Sequence, residues 1–435
     1  MQTLLEKIKT KKARLGVIGL GYIGLPLAVE QALAGFETIG FDIQQKKVDL
    51  LNQGCSYIGD VANEDLEKIV KIGMFKATTD YSEAQSCDSV CICVPTPLDE
   101  HQQQDISYIR KSAEELVPFM HKQMLVVLES TTFPGTTEEL VKPILEKSGL
   151  VCGKDFYLAF SPERVDPGNS VYKIKNTPKI VGGCTPESTE VAAVMYQTVL
   201  DAPVHRVSSS AAAEMEKVLE NIYRNINIGL VNELAILCDK MNISIWEVID
   251  AAKTKPYGFQ AFYPGPGLGG HCIPLDPYYL SWKAREYGFH TSMIEASMMI
   301  NDKMPEYCVG RVGRILNKFK KALNGSQVLV LGVAYKQNID DCRESPAIKV
   351  IKELLKVGAE VSYFDPFVKS FNDKNLSMNS IPELKPEVIE KFDIVIIATS
   401  HTNVDYALVQ KHAKVIFDTK NVMKDIKQRD NIEAL

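Results

Sequence analysis

The segment 263–280 reads YPGPGLGGHCIPLDPYYL, and it places Cys272 directly after His271 and four residues before Asp276. A cysteine thiolate is a soft nucleophile that can bond covalently to an electrophilic carbon. The many glycines expose backbone N–H groups and let a ligand come close to the chain. A rigid turn around a buried thiol is the alternative, but a plain linker has no need for these three side chains together. The segment therefore favours nucleophilic catalysis by Cys272 from a functional loop.

A second motif, GLGYIG at residues 19–24, matches the pattern GxGxxG between an apolar run and a stretch with helical spacing. In this setting Gly19 permits a tight turn, Gly21 admits a pyrophosphate to the backbone, and Gly24 lets the helix pack on the strand. A structural glycine turn would explain the pattern alone, but not this order of strand, turn and helix. The motif predicts a dinucleotide-binding site.

Asp42 ends the next apolar run, ETIGFD, 18 residues beyond Gly24. A carboxylate at about this spacing binds the adenosine ribose and repels a 2′-phosphate. The sequence therefore favours NAD over NADP, whereas the glycines alone leave FAD open.

The elements that must position these residues follow an alternating pattern over the first 200 residues or so. Apolar strands alternate with helical stretches such as 25–34, which predicts βαβ units and a parallel sheet. The predicted strands cover 15–20, 37–42, 89–95, 123–130 and 179–183.

The pattern then changes to long helices. Residues 211–242 lack proline, contain only Gly229 as a glycine, and repeat apolar residues at steps of three and four. A second helical stretch covers 293–323. The strand pattern restarts afterwards, with a helix at 346–358 and strands at 326–335, 360–365, 393–399 and 414–419.

The predicted fold class is therefore α/β, with two Rossmann-like doubly wound domains joined by a long central helix within a helical dimerisation domain. We place a dinucleotide-binding domain at 1–207, the central helical domain with the cysteine loop at 208–318, and the second Rossmann-like domain at 319–435. The second lobe lacks the glycine motif of the first, so a tandem duplication is not evident.

Composition narrows the class of protein. The 435 residues are 45% hydrophobic and 24% charged, with a net charge of −6 that argues against a nucleic-acid partner. No run approaches the roughly 20 apolar residues of a membrane span, and the basic N-terminus does not resemble a signal peptide. The ten cysteines contain no CxxC pair, which favours reduced thiols in the cytoplasm and no metal site. We expect Cys91 and Cys93 to be core residues.

Seven separated motifs follow one another along the chain: GLGYIGLP (19–26), VPTP (94–97), ESTTFPG (129–135), SPER (161–164), EMEKVLENIYRNINI (214–228), GPGLGGHCIPLDP (265–277) and GVAYKQNIDDCRESP (332–346). With these motifs in this order, the chain resembles the UDP-glucose/GDP-mannose dehydrogenase family along nearly its whole length. Within that family, the form GGHC and the segment AAKTKPYGF (251–259) resemble the branch acting on UDP-N-acetylhexosamines, UDP-N-acetylglucosamine 6-dehydrogenases above all.

The resemblance implies oxidation of the sugar C6 hydroxyl to a carboxylate, in two hydride transfers that consume two NAD. The alcohol first becomes an aldehyde, to which the thiolate of Cys272 adds. The resulting thiohemiacetal loses a second hydride and becomes a thioester, and water then releases the uronic acid. Surface polysaccharide precursors would be the destination of such a product.

The resemblance also implies roles for individual residues. Lys217 and Asn221 would steady the C6 oxygen, Asp276 would hold or deprotonate water together with Lys217, and Glu163 would act as acid or base in thioester hydrolysis. Thr132 would hydrogen-bond the catalytic water. The NAD contacts would be Gly19, Gly21, Tyr22, Ile23, Gly24, Asp42, Lys47, Pro95, Thr96 and Arg343. The UDP-sugar contacts would be Arg164, Lys217, Asn221, Tyr263, Gly265, Gly267, Gly269 and Lys336, the last of these in the UDP-sugar-binding domain 319–435.

The sequence departs from the UDP-glucose enzymes at two places. YGF near position 257 replaces an arginine donated there by a partner subunit, and KNV (420–422) replaces paired arginines. The sugar therefore stays open among UDP-N-acetylglucosamine, UDP-N-acetylmannosamine, UDP-N-acetylgalactosamine and UDP-glucose, as does sharing of the site within an expected homodimer or higher homo-oligomer.

Two other classes also stay open. One is a two-electron dehydrogenase with a 6-phosphogluconate-dehydrogenase-like fold, which would release an unhydrolysed product. The other is a non-enzymatic nucleotide-binding protein, although retention of Lys217, Asn221, Cys272 and Asp276 argues against a decayed site.

Overall fold

The computed structural model describes residues 2–98, 104–165, 169, 171–270, 272–373 and 375–435. Their contacts divide the chain into two compact units, 1–220 with 278–288 and 221–277 with 289–435. The predicted domain boundaries at 207/208 and 318/319 stay a prediction. His271 lies outside the described residues.

The first unit contains an eight-stranded sheet. Its strands are β1 (Leu15–Ile18), β2 (Thr38–Phe41), β3 (Phe75–Thr78), β4 (Ser89–Ile92), β5 (Leu125–Leu128), β6 (Tyr157–Phe160), β7 (Lys179–Gly183) and β8 (Val204–Arg206). They lie in the order β3-β2-β1-β4-β5-β6-β7-β8, parallel except for the antiparallel pair β6 and β7. The helices are α1 (Leu4–Lys9), α2 (Gly24–Leu33), α3 (Gln45–Asn52), α4 (Asn63–Lys71), α5 (Ser107–Leu116), α6 (Lys142–Leu145) and α7 (Pro186–Val199).

Strand β5 shows why the central strands are continuous apolar runs. Its four residues are fully buried, and they alternate between two hydrophobic layers on opposite sides of the sheet. Leu125 and Val127 belong to one layer, and Val126 and Leu128 belong to the other. A parallel sheet covered on both faces requires this pattern.

Two long helices contribute residues to both units, namely α8 (Ser210–Met241) and α10 (Cys272–Ala284). The second unit adds α9 (Ile245–Ala252), α11 (Ser292–Lys318), α12 (Pro346–Lys356), α13 (Pro386–Ile389) and α14 (Tyr406–His412). The observed start of α10 corrects the expectation that Cys272 lies within a loop, because this cysteine is the first residue of a helix.

The second unit contains a five-stranded parallel sheet in the order β10-β9-β13-β14-β15 and a two-stranded hairpin. The strands are β9 (Gln327–Leu331), β10 (Glu360–Phe364), β11 (Ser370–Asp373), β12 (Leu376–Asn379), β13 (Ile394–Ile397), β14 (Ile416–Asp418) and β15 (Ile432–Ala434). The predicted α/β fold class, with two Rossmann-like sheets and a helical middle, is confirmed.

The turns after β1 and β9 share a local geometry that the sequence motifs do not reveal. Gly19 N donates to Phe41 O and Gly332 N donates to Phe364 O, both at 2.8 Å, and both glycines have positive φ. An aspartate, Asp42 or Asp365, comes directly after the next strand in each lobe and accepts hydrogen bonds from backbone N–H groups of the turn. The two lobes therefore share a turn with a positive-φ glycine and a following aspartate, although the sequences of the turns differ.

Candidate active site

The turn after β1 contains two glycines that packing requires and one that it does not. Gly19 has a φ of +90°, and a Cβ there would lie 2.7 Å from Cys93 O. A Cβ on Gly24 would lie 1.9 Å from Gly19 O. A Cβ on Gly21 would meet no described atom within 4 Å, so packing does not explain this glycine. Approach of a pyrophosphate to the backbone does, and the turn therefore fits a dinucleotide.

Asp42 is 7% exposed at the end of β2, and its two oxygens have different partners. Oδ2 accepts from Leu20 N at 3.1 Å and Oδ1 accepts from Gln44 N at 2.9 Å. Lys47 Nζ lies 3.8 Å from Oδ2 and 5.3 Å from the centre of the Tyr57 ring. The carboxylate is thus fixed beside the glycine turn, where a ribose would bind in a Rossmann fold.

The other expected NAD contacts in the first unit differ in exposure. Tyr22 is 52% exposed and Ile23 directly precedes α2. Pro95 is exposed after β4, whereas Thr96 is 3% exposed and its hydroxyl donates to Thr131 O at 2.9 Å. The Thr96 side chain is therefore already hydrogen-bonded within the protein. The group of Thr96 that remains to face a ligand is the backbone carbonyl, which also accepts from the Tyr279 hydroxyl at 2.6 Å.

Glu163 is held in a buried network of charges that the sequence did not reveal. Its Oε1 accepts from the backbone N–H groups of Arg164 and Val165, both at 2.7 Å, and its Oε2 lies 3.5 Å from Lys179 Nζ. Lys179 Nζ also donates to Glu129 Oε2 at 2.6 Å. Burial alone would lower the pKa of Lys179, but Glu129 and Glu163 raise it above its ordinary value. The lysine therefore stays charged between two carboxylates.

Arg164 and Thr132 are both engaged within the first unit. The Arg164 guanidinium pairs with Glu220, donates to Pro178 O at 2.9 Å, and lies 3.6 Å from Glu216. The fully buried Thr132 hydroxyl lies 2.7 Å from the Thr136 hydroxyl. A substrate phosphate would have to compete with carboxylates for Arg164.

Lys217 and Asn221 lie one turn apart on α8 and are 7% and 5% exposed. Burial of both side chains argues against a solvated helix face, which is the ordinary alternative for a helical lysine. Asn221 Nδ2 donates to Asp276 Oδ2 at 2.5 Å. Asn221 and Asp276 are therefore in direct contact within the second unit, and their shared role in one site stays a prediction.

Cys272 is partly buried at the N-terminus of α10, and Asp276 follows one turn later with 1% exposure. The positive end of the helix dipole stabilises negative charge on a group at this position, such as a thiolate. Residues four apart in a helix share a face. The thiol and the carboxylate therefore lie on the same face of α10, one turn apart.

The glycines before Cys272 are explained partly by the protein itself. A Cβ on Gly269 would lie 2.7 Å from Tyr335 Cβ, and one on Gly270, where φ is +85°, would lie 2.9 Å from the Tyr335 ring. Gly270 N donates to Arg343 O at 3.0 Å. Close packing on Tyr335, and not only ligand approach, therefore requires these two glycines.

The remaining expected substrate and cofactor contacts are spread over the second unit. Tyr263 stacks on Trp246 with ring centres 6.1 Å apart, and Gly265 N donates to Asn232 Oδ1 at 3.0 Å. Gly267 has a φ of +128°. Lys336 is half-buried after β9, and the exposed Arg343 pairs with Asp341 at 2.6 Å. Their roles toward UDP-sugar and NAD stay predictions.

The core cysteines are unsuited to nucleophilic chemistry. Burial raises the pKa of the Cys87 and Cys308 thiols to about 12, and it raises the pKa of Cys91 and Cys93 well above the usual range. Thiols with such pKa values carry almost no thiolate at neutral pH. The interpretation of Cys91 and Cys93 as core residues is consistent with their exposures of 1% and 6%.

The described residues contain neither a metal-binding cluster nor a membrane-spanning helix. No group of three or more His, Cys, Asp or Glu side chains is arranged to hold a metal ion. Among the described helices, none combines the length and apolarity that a bilayer crossing requires.

Sequence reasoning missed several buried polar residues. Lys179 could have been found as a lysine that opens an otherwise apolar strand, KIVGG. Asn225 and Asn232 interrupt the apolar stripe of α8, but an asparagine there also fits a solvated face. Their partners become evident only in three dimensions.

Similarity to known proteins extends over most of the chain. Three domains described for the UDP-glucose/GDP-mannose dehydrogenase family match in order: the NAD binding domain at 13–200, the central domain at 211–303 and the UDP binding domain at 329–425. A UDP-N-acetyl-D-glucosamine 6-dehydrogenase from Pseudomonas aeruginosa is 36% identical over 96% of this chain and 99% of its own length. Protein CapL from Staphylococcus aureus is 38% identical over 94% and 96%.

A solved structure has the same fold as this chain over nearly its whole length. The UDP-D-ManNAc dehydrogenase from Pyrococcus horikoshii superposes with a TM-score of 0.87 at 31% identity, covering 97% of this chain and 98% of that one. The family resemblance and the use of NAD inferred from the sequence are confirmed. On this agreement in sequence and fold, the chain belongs to the UDP-glucose/GDP-mannose dehydrogenase family and is an NAD-dependent nucleotide-sugar dehydrogenase.

Proposed function

We propose that the protein oxidises the C6 hydroxyl of a UDP-N-acetylhexosamine, with UDP-N-acetylglucosamine favoured, to the uronic acid through a thioester on Cys272. The observation that carries the proposal is the start of α10, where Cys272 is followed one turn later by an Asp276 that Asn221 fixes at 2.5 Å. A two-electron alcohol oxidation needs no nucleophile, whereas a four-electron oxidation to an acid gains from a reversible covalent one.

Each residue has a defined task in this chemistry. NAD, held by the glycine turn and Asp42, would accept a hydride twice for every sugar, and the C6 hydroxyl and then the thiohemiacetal hydroxyl would each release a proton to solvent. Lys217 and Asn221 stabilise negative charge on the C6 oxygen. The Cys272 thiolate adds to the aldehyde carbon, and loss of the second hydride leaves a thioester. Water then attacks the thioester carbon, the carbon–sulfur bond breaks and the thiolate is regenerated. Asp276 takes the proton of that water, with Glu163 and Thr132 assisting hydrolysis.

Binding is assigned to two Rossmann-like domains, at 1–207 for NAD and 319–435 for the UDP-sugar, with the catalytic helix domain at 208–318 between them in sequence. The glycine turn and Asp42 would hold NAD, with Tyr22, Ile23, Lys47, Pro95, Thr96 and Arg343 contributing. The UDP-sugar contacts would be Arg164, Tyr263, Gly265, Gly267, Gly269 and Lys336, with Lys217 and Asn221 at the reacting carbon.

Stoichiometry tests the proposal directly. We expect two NADH per UDP-N-acetylglucosamine consumed, and we expect Cys272→Ser to abolish acid formation. Cys55→Ser, which removes an exposed thiol, is the matched control and should retain full activity. One NADH per turnover, or acid formation by Cys272→Ser, would rule out the thioester route.

The second candidate sugar is UDP-N-acetylmannosamine, because the Pyrococcus horikoshii structure is named for UDP-D-ManNAc. Initial rates on UDP-N-acetylglucosamine, UDP-N-acetylmannosamine, UDP-N-acetylgalactosamine and UDP-glucose would rank the substrates. If the mannosamine sugar has the highest kcat/KM, the favoured assignment is wrong while the chemistry stands.

We further propose that the protein works as a cytoplasmic homodimer that supplies surface polysaccharide precursors. Leu230, Leu234, Leu237 and Met241 form an exposed apolar stripe along α8, between 38% and 56% exposed. Stripes of this kind mark protein–protein contacts. A reducing compartment would keep Cys272 a thiol. Sedimentation or light scattering tests the dimer, and Leu234→Arg should yield monomers.

A further inference from the structure

Asn225 and Asn232 on α8 and Asn301 on α11 have buried side chains, exposed by 1%, 0% and 2%. A buried amide without hydrogen-bond partners costs free energy, so buried amides are expected to be paired. All three are paired here, and the partners connect the two helices to the segment that precedes and includes Cys272.

The two helices approach closely at Gly229. A Cβ on this residue would lie 3.0 Å from Ser297 Cβ and 3.2 Å from Ser297 Cα on α11. Gly229 lies between Asn225 and Asn232 in sequence, and Asn301 follows Ser297 by one turn. The close crossing lets short asparagine side chains bridge the helices on both sides of it.

Four hydrogen bonds join the helices at this crossing, the longest of them from Asn301 Nδ2 to Asn225 Oδ1 at 3.4 Å. Ser297 Oγ donates to Asn225 Oδ1 at 2.8 Å, and Asn301 Nδ2 donates to Asn225 O at 3.1 Å. Asn232 Nδ2 donates to Asn301 Oδ1 at 2.9 Å. Each amide thus has a fixed orientation within a connected network.

Two of these asparagine side chains also hydrogen-bond to the backbone on either side of Cys272. Asn232 Oδ1 accepts from Gly265 N at 3.0 Å, and Asn225 Nδ2 donates to Ile273 O at 3.1 Å. These two backbone groups precede and follow Cys272 in the sequence, and Gly267 and Gly270, which lie between them, have positive φ. A backbone N–H can only donate and a backbone carbonyl can only accept, so the side-chain oxygen of Asn232 must face Gly265 and the side-chain nitrogen of Asn225 must face Ile273.

The bond to Ile273 O has a specific cause. In a helix this carbonyl would accept from the N–H four residues later, at Pro277. Proline has no N–H, and Pro277 lies inside α10. Asn225 supplies the missing donor to the first turn of the helix, which starts with the cysteine.

We propose that Asn225 and Asn232 are positioning residues that hold Cys272 in its reactive place by fixing both ends of segment 265–273 to the α8–α11 crossing. The inference rests on the proposed function, in which Cys272 is the nucleophile. A displacement of about 1 Å of a reacting group can cost about 100-fold in rate, so a clamp of this kind controls turnover rather than cofactor binding.

Two isosteric substitutions separate the clamp from simple helix packing. Asn225→Asp cannot donate to Ile273 O but still accepts from Ser297 and Asn301. Asn232→Asp still accepts from Gly265 N but cannot donate to Asn301 Oδ1. Both variants place a carboxylate at an almost fully buried position. They differ in the contact that is lost: Asn225→Asp loses the hydrogen bond to Ile273 O, and Asn232→Asp loses the hydrogen bond between the two helices. Asn227→Asp, on the half-exposed side of α8, is the control for charge alone.

The measurements are kcat and KM for NAD and for the most active UDP-sugar, the rate of Cys272 alkylation by iodoacetamide followed by mass spectrometry, and the thermal midpoint. For Asn225→Asp we expect kcat to fall about 10- to 100-fold, the alkylation rate to change at least about threefold and the KM for NAD to stay within about twofold. For Asn232→Asp, which keeps the acceptor for Gly265 N, we expect a smaller loss of kcat than for Asn225→Asp. For Asn227→Asp we expect alkylation and kcat within about threefold of the parent. Should Asn225→Asp fail to fold, Asn225→Ala removes the same donor without a charge.

The proposal would be overturned if Asn225→Asp and Asn232→Asp lost kcat equally, in proportion to their loss of thermal midpoint, while the rate of Cys272 alkylation stayed unchanged. Cys272→Ser, assayed in parallel, separates the two hypotheses. If that variant still forms acid, the proposed function fails, yet the alkylation rates of the asparagine variants still decide whether the clamp holds the cysteine.

Discussion

The side-chain amide of Asn221 donates to Asp276 Oδ2 across 2.5 Å, with both residues almost fully buried. Asn221→Asp would place two carboxylates at this distance, and they cannot both be ionised there. We expect a loss of about 1–3 kcal/mol in the free energy of unfolding and a fall in kcat of about 100-fold or more. Denaturant unfolding and steady-state rates measure both quantities, and full activity in this variant would contradict the assignment.

The glycines of the nucleotide turn give a pair of opposite predictions. Gly21→Ala adds a Cβ that meets no described atom within 4 Å, so the fold should tolerate it, whereas the KM for NAD should rise at least about 10-fold. Gly24→Ala places a Cβ 1.9 Å from Gly19 O. We expect it to cost about 1–3 kcal/mol of stability as well as NAD binding. Thermal midpoints without NAD, together with NAD titrations, separate the two outcomes, and equal midpoints would contradict the packing argument.

Asp42 should set the preference for NAD. Asp42→Ala removes the carboxylate that repels a 2′-phosphate, so the ratio of kcat/KM for NADP to that for NAD should rise at least about 10-fold. The variant also loses the acceptor for Leu20 N and Gln44 N. We therefore expect a stability loss of about 1–3 kcal/mol. Asp42→Asn keeps one acceptor and most of the shape, and should shift the ratio with a smaller loss of stability.

The parts of this molecule that follow local rules were predictable from the sequence. The glycine turn, the carboxylate at the end of β2 and the 32-residue helix α8 each depend on residues close together in the chain. The start of α10 at Cys272 was not, because Pro274 and Pro277 both argue against a helix there. Asn225, which lies 48 residues before Ile273, supplies the donor that Pro277 lacks, and no local pattern encodes such a contact.

Local sequence patterns also do not reveal the buried charge pairs or the turn geometry that the two lobes share. Lys179 looks like a strand-end lysine until the fold brings Glu129 and Glu163 to it. The lobes share a turn geometry although only the first has GxGxxG, because Gly332 alone supplies the positive φ that the second turn needs.

The buried charge network of the first unit gives a stability prediction. Lys179→Met leaves Glu129 and Glu163 buried without their cation, and breaking such a pair costs about 3–5 kcal/mol. Lys175→Met is the matched control, because its ion pair with Asp201 is exposed and contributes about 1 kcal/mol or less. Denaturant unfolding measures both. The double variant Lys179→Met with Glu129→Gln should recover part of the loss, and additive losses would show that the two groups are not coupled.

Asp365 gives a stability prediction that depends on pH. Its Oδ2 accepts from Val333 N at 2.7 Å and from His401 Nε2 at 3.0 Å, while Asn338 N donates to His401 Nδ1 at 3.0 Å. Burial would raise the pKa of Asp365, but the hydrogen bonds from His401 and the backbone outweigh it and hold the pKa below the ordinary value of 3.8.

A carboxyl whose pKa is lower in the folded than in the unfolded state stabilises the fold above its unfolded pKa, and this contribution is lost as the pH falls through the folded pKa. Asp365→Asn should therefore lower the free energy of unfolding at pH 7, and the deficit relative to the parent should shrink as the pH falls below about 4. Urea unfolding of both proteins between pH 3 and 7 measures this difference. Asp425→Asn, an exposed position in the same unit, should show no deficit at pH 7. A deficit for Asp365→Asn that stays constant over the whole range would mean that its carboxylate charge contributes nothing beyond shape.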